Sequence, residues 1–352
     1  MTAPGEDSDL SGPVERALAR LPVALADERA RRSLQAVARA LPSSLTTGPL
    51  GLEIRLAGAT AVDLFAAAIP GTPAFEALVR ALAQPAAAST WAAPDRARDL
   101  AAVLDRWPRK EGAIHRVARY LLVEADAPED PDDAVAVPSI FLAPRGSRDF
   151  PRPGQPPNAF HRMVEATVTA TAELSGVWPD PAAARALEAV VAAIPPEGDI
   201  FAVGAMVSRA AGSSIRVAVR RLGVDGIHAV LRAAGLPREA DTLAECARAA
   251  PAAKQAVAFE VGPGAERRAG LELSPPHYWE QALLSGWPEL LDHLVALGVA
   301  DADRAAAVPG LVDPRGSPRW GLAHVKVSAV GSGLLPVSKL YVGLNFHPAE
   351  AT

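Results

Sequence analysis

Paired strand-like runs return along this chain, with helix-like stretches filling the gaps between them. The pairs are Leu50–Leu56 with Val62–Ile69, Arg119–Asp126 with Val135–Leu142, and Ile200–Arg209 with Ser214–Arg220. Gln255–Val261 with Arg268–Leu273 and His324–Ala329 with Pro336–Leu344 complete the set. About ten strands in sequential hairpins, with helices between the pairs, limit the chain to a few architectures. An open antiparallel sheet with one face in water is the plainest. A closed barrel in a helical jacket is the other, and it removes the exposed edges. The regular hairpin-then-helices order favours the barrel: an α/β fold of the α+β type, a closed antiparallel barrel of about ten strands surrounded by helices in αββα repeats.

The helical stretches read as Val14–Leu41, Pro73–Leu82, Asp95–Trp107, Ala159–Leu174, Pro181–Ile194, Val224–Ala234, Arg238–Ala249, Tyr278–Leu297 and Ala302–Ala307. Prolines and Gly235 punctuate several of them. Residues 1–12 read as disordered, and 13–348 as one barrel domain. Pro144–Asn158, rich in Pro, Gly and Arg, is long enough to be a lid or partner loop, or equally a solvated connector.

Side chains alternate across a strand. In LGLEIRL, Glu53 and Arg55 share one face, with Leu52, Ile54 and Leu56 on the other. The same alternation groups Glu124 with Asp126, Arg216 with Ala218, His324 with Lys326, and Lys339 with Tyr341. If helices cover the apolar face, these charges line the interior. They must then be paired, hydrated or matched by a charged ligand.

Bulk properties narrow the function. The 352 residues are 49% hydrophobic, enough for a large core, and the formal net charge of −5 with no long basic run argues against nucleic-acid binding. Cys246 is the only cysteine, so no disulfide framework is expected. The N-terminus lacks an apolar signal segment, and no run is long enough to span a membrane, so a cytoplasmic location is expected. The seven histidines have no tight metal spacing. The acidic run Glu129–Asp133 reads as a solvated turn. Trp287 and Trp320 read as packing residues. The wealth of Ala, Arg and Pro is similar to that of proteins from high-GC bacteria.

The order of elements over roughly residues 14–347 resembles the ABBA prenyltransferases, whose fold is a ten-stranded barrel inside a ring of helices. The resemblance implies natural-product biosynthesis by prenyl transfer from an allylic diphosphate to an aromatic or peptide acceptor. It implies that Arg55, Arg216, Lys326 and Lys339 bind the diphosphate. Lys339-Leu340-Tyr341 matches the family's Lys-x-Tyr strand, so Tyr341 would shield the allylic cation. Glu53 or Glu124 would take the acceptor's proton. No resident metal or other cofactor follows, beyond magnesium accompanying the diphosphate. The chain departs from the family in having three tyrosines, with Ala57 and Ala218 where shielding tyrosines would stand. The acidic candidates Glu124, Asp126, Glu260 and Glu272 support the alternative: a non-prenylating barrel, either another small-molecule enzyme or a binding protein for a biosynthetic peptide or small molecule.

Overall fold

The computed structural model describes residues 9–84, 90–107, 118–144, 166–174, 176, 181–205, 215–250, 254–262, 268–275, 285–312 and 319–345. Its strands are β1 (Leu50–Arg55), β2 (Val62–Ala68), β3 (Ala118–Ala125), β4 (Ser139–Pro144), β5 (Asp199–Ala205) and β6 (Ile215–Arg220). They continue as β7 (Lys254–Val261), β8 (Ala269–Ser274), β9 (Arg319–Val330), the two-residue β10 (Gly333–Leu334) and β11 (Lys339–Asn345). Each strand from β1 to β8 pairs antiparallel with the next. β8 pairs with β9, β9 with β11, and β11 with β1. Ten strands therefore close into a ring, and β10 only extends the hairpin after β9.

Closure follows from the residue types on the two faces. Outward positions are Leu52, Ile54, Leu121, Val217, Leu271 and Val325, each fully buried. Burying an aliphatic side chain contributes about 1.5–3 kcal/mol. The helices supply the cover: α1 (Ser11–Leu18), α2 (Glu28–Ala40), α3 (Pro73–Ala83), α4 (Pro94–Asp105), α5 (Pro181–Ala193) and α6 (Val224–Ala233). They are followed by α7 (Pro237–Ala249), α8 (Trp287–Ala296) and α9 (Ala302–Ala307). Residues 166–174 are also helical. Trp287 and Trp320 are buried, as their packing role requires. Inside the ring a separate cluster of Phe141, Ala202, Ala218 and Ala258 narrows the lumen on the β4–β7 wall.

Three expectations need correction. The helix expected over Val14–Leu41 is two helices, because Pro22 offers no N–H and disfavours helix in the residue before it. The Arg31 guanidinium closes the break by donating to the carbonyls of Leu18, Leu21 and Ala26. Asp27 caps α2 by accepting from the Ala30 N–H at 2.9 Å. Residues 9–12 are ordered: Asp9 bridges to Pro42, Leu10 is fully buried, and Ser11 opens α1. The fourth strand starts at Ser139 and not at Val135, because Pro138 cannot donate to a ladder. Val135 instead pairs with Trp91 as an isolated bridge.

The Glu129–Asp133 turn is largely exposed, with Arg29 Nε donating to the Glu129 carbonyl at 2.9 Å. The loop at 145–158, the run 159–165 and residues 276–284 lie outside the described residues. Among the described residues no helix is long and apolar enough to cross a membrane.

Candidate functional site

The lumen opens at the hairpin end of the barrel into a cavity of about 330 Å³, at the small end of the range for ligand sites. The seven residues given roles by the resemblance all line it: Glu53, Arg55, Glu124, Arg216, Lys326, Lys339 and Tyr341. They come from β1, β3, β6, β9 and β11, each at an inward position of its strand.

Cross-strand register explains the electrostatics. On three adjacent strands, Arg55 stands opposite Lys339, and Lys339 opposite Lys326. Like charges placed directly opposite destabilise a sheet. Strand spacing of about 4.8 Å makes this cationic row about 10 Å long. Glu53 offsets part of the repulsion. It lies opposite Tyr341 and accepts from the Lys339 ammonium. Arg216 is 3.7 Å from Glu260. Arg55 and Lys326 make no side-chain hydrogen bond or ion pair among the described residues.

Burial and neighbours separate the titrations. Burial would raise Glu53, but Lys339, Lys326 and the Tyr341 hydroxyl outweigh it and hold the carboxyl down to about 2. Asp63 faces Glu53 across β2, and burial together with that negative neighbour raises it to about 7. Glu124 is raised for the same two reasons. Burial and the nearby Arg216 lower Lys326 to about 8. Burial would lower Lys339, but Glu53 and Asp63 raise it overall. The Tyr341 phenol is pushed well up, by burial first and then by Glu53, so it stays neutral.

Alternation grouped Asp126 with Glu124, and both line the cavity, but two lining residues were not singled out: Asp63 and Arg268. Asp63 had a visible signal, since it is the one charge in VDLFAAAI and sits between outward-facing Val62 and Leu64. Asp63 also accepts from the Ala127 N–H at 2.9 Å, tying β2 to the end of β3. Arg268 falls just before β8, where periodicity gives no facing.

The inner end of the cavity is aromatic. Tyr341 packs on Phe65 with ring centroids 5.8 Å apart and stacks on His324 at 4.3 Å and 19°. Burial lowers the His324 pKa. Its Nε2 lies 3.7 Å from Glu272 and has no hydrogen-bond partner among the described residues. Beyond these rings a second cavity, of about 860 Å³, opens at the opposite end, where strands run into helices. Among the described residues no group of three or more His, Cys, Asp or Glu is placed to hold a metal.

The class defined by fold and site is a closed ten-stranded antiparallel barrel, jacketed by helices, with a charged lumen. No family model matches the sequence, and no curated protein does. A solved structure similar to this chain is AnaPT from Neosartorya fischeri. It aligns over 85% of this chain and 78% of its own, at 13% identity and a TM-score of 0.46. Residue roles are therefore taken from this chain's own geometry. That geometry can grip a small polyanion, exclude water behind an aromatic layer, and exchange a proton near neutral pH.

Proposed function

We propose that the hairpin-end cavity binds an allylic diphosphate and that the barrel transfers its prenyl group to an aromatic or peptide acceptor. The cationic row Arg55–Lys339–Lys326 carries this reading. Three cations in register, of which only Lys339 has a hydrogen-bonded carboxylate among the described residues, keep a repulsion that a bound diphosphate would relieve through charge-assisted hydrogen bonds. Arg216 and Arg268 face the same space.

On this reading the allylic C–O bond breaks and its electron pair leaves with the diphosphate. The Tyr341 and Phe65 faces stabilise the cation. The acceptor attacks the allylic carbon and loses a proton to a carboxylate. Asp63, raised to about 7, is better matched to that role than Glu53, which two lysines keep strongly acidic. Glu124, raised in the same direction, is the second choice. Any magnesium would enter with the diphosphate.

Thermal shift and calorimetry with dimethylallyl, geranyl and farnesyl diphosphates test the reading. Ligand at a hundredfold excess over Kd adds about 2.7 kcal/mol of stability. Lys326→Met should remove most of that gain. No stabilisation by any of the three, in folded protein, overturns the proposal.

The four carboxylates Glu53, Asp63, Glu124 and Asp126 on the same cavity favour a second reading, a non-prenylating barrel for a polar ligand carrying its own cation. Binding of small amines in place of diphosphates would select it.

A further inference from the structure

We infer that the helix-end mouth of the barrel is a separate binding site for a small molecule carrying a carboxylate on an aromatic or other apolar body. The mouth is the 860 Å³ cavity, and three cations, Arg220, Arg221 and Lys254, line it against one carboxylate, Glu272, among the described residues. Beneath the rim, one buried carboxylate organises two guanidiniums. Asp199 accepts from Arg220 Nε and Nη2 at 3.1 Å each and lies 3.0 Å from Arg221 Nη2. The side chain of Asp199 is only 3% exposed, while the two arginines are 55% and 59% exposed. A buried anion thus holds two guanidiniums, each more than half exposed, at an open mouth, and guanidinium suits a carboxylate partner.

The backbone gives a second, independent observation. Arg221 has φ 59°, and it is the one non-glycine with positive φ among the described residues. That conformation is unfavourable for a residue with a Cβ, and it places Arg221 between β6 and the start of α6. The N-cap Gly223 and the first residue of α6, Val224, line the cavity, and Gly223 offers no side-chain cap to the helix N–H groups. Ser274, 8% exposed, faces the same cavity from the end of β8. Donors therefore converge from a strand end, a helix start and two arginines.

The apolar side of the site is equally defined. Phe201 lines the cavity with Leu222, Val224 and Ala256, and the Arg220 guanidinium sits 5.8 Å from the Phe201 ring centroid. The far wall is His324, which stacks on Tyr341. A ligand here ends one aromatic layer away from the hairpin-end cavity. Its identity as the acceptor rests on the diphosphate reading, whereas its binding does not.

Calorimetry on the full chain with N-benzoylphenylalanine, and with its neutral amide as control, tests the site. The acid is expected to bind at least tenfold more tightly than the amide. Arg221→Gly removes the guanidinium and suits the left-handed backbone. It should weaken the acid at least fivefold and leave the amide unchanged, and Lys254→Gln should weaken the acid less. Pyrophosphate binding at the other mouth should not respond to Arg221→Gly. Equal affinity for acid and amide, no binding of either, or acid affinity indifferent to both substitutions overturns the site. Failure of pyrophosphate to bind the unmodified protein counts against the diphosphate reading alone.

Discussion

The two faces of the barrel wall are made from the same strands and follow opposite rules. Leu52 and Ile54 point out of β1 into helices and are fully buried, while between and beyond them Glu53 and Arg55 point in, toward a cavity. The outer face is a continuous aliphatic layer whose residues are interchangeable in kind. The inner face is a set of particular charges whose neighbours fix their protonation. Stability is thus concentrated outside and chemistry inside, one residue apart. Substitutions at adjacent positions should separate the two.

The largest effect is expected on the outer face. Leu52→Ala removes a fully buried side chain beneath the jacket and should cost about 2–5 kcal/mol, read as a lower midpoint in denaturant at unchanged slope. An equal loss from Arg55→Gln would break the contrast, because Arg55 makes no side-chain contact of comparable burial. Next comes Lys339→Met on the inner face. It strands the Glu53 carboxylate beside Asp63 and should cost about 3 kcal/mol. That is the low end for a broken buried pair, because 32% of the Lys339 side chain is exposed. Adding Glu53→Leu should restore stability to within about 1 kcal/mol, which would show that the inner charges are not there to hold the fold.

A smaller effect, of opposite sign to most carboxylates, concerns pH. The Asp63 pKa is raised to about 7 from 3.8. The folded state therefore holds a proton that the unfolded chain has released. Its contribution is fully present below the ordinary value and is lost as pH rises to about 7. Stability of the unmodified protein relative to Asp63→Asn should fall by about 1–2 kcal/mol between pH 5 and 7. A relative stability that stays flat over this interval would show that Asp63 is ionised throughout, against its proposed part in taking the acceptor's proton.

Much of the outer face and little of the inner arrangement was legible in the sequence. Alternation along one strand is a local property, so the facing of Glu53, Glu124, Arg216, Lys326 and Lys339 could be read directly, and all of them reach one cavity. Hairpin pairs separated by helices pointed to closure for a physical reason, since a ring has no edges. What alternation cannot give is which inward residues become neighbours around the ring. Glu53 and Lys339 are 286 residues apart in sequence and meet only because β11 closes on β1. The consequence is chemical: Glu53 reads as a base from sequence, and its lysines make it a poor one. The helix break at Pro22 and the late start of β4 after Pro138 were marked by prolines, whose missing N–H decides both.

The finest test of the contrast uses two glycines that both point inward. Gly51 on β1 and Gly270 on β8 each lack the room for a Cβ, but for different reasons. At Gly51 the added carbon meets the Phe65 ring and the Val342 carbonyl, a side chain packed on Tyr341 and a piece of backbone. Neither can yield cheaply, so Gly51→Ala should lower stability by about 1–3 kcal/mol, the usual cost of overpacking. At Gly270 the carbon meets the Lys326 side chain, principally its Cε. A lysine's far end can move, so Gly270→Ala should change stability by less than about 0.5 kcal/mol. The displaced ammonium should nonetheless leave its place in the row with Arg55 and Lys339. Affinity for dimethylallyl diphosphate should then fall several-fold in Gly270→Ala at nearly constant melting temperature. If affinity and stability instead fall together, Lys326 is part of the packing, and the division of labour between the two faces fails at a position central to the proposed diphosphate site.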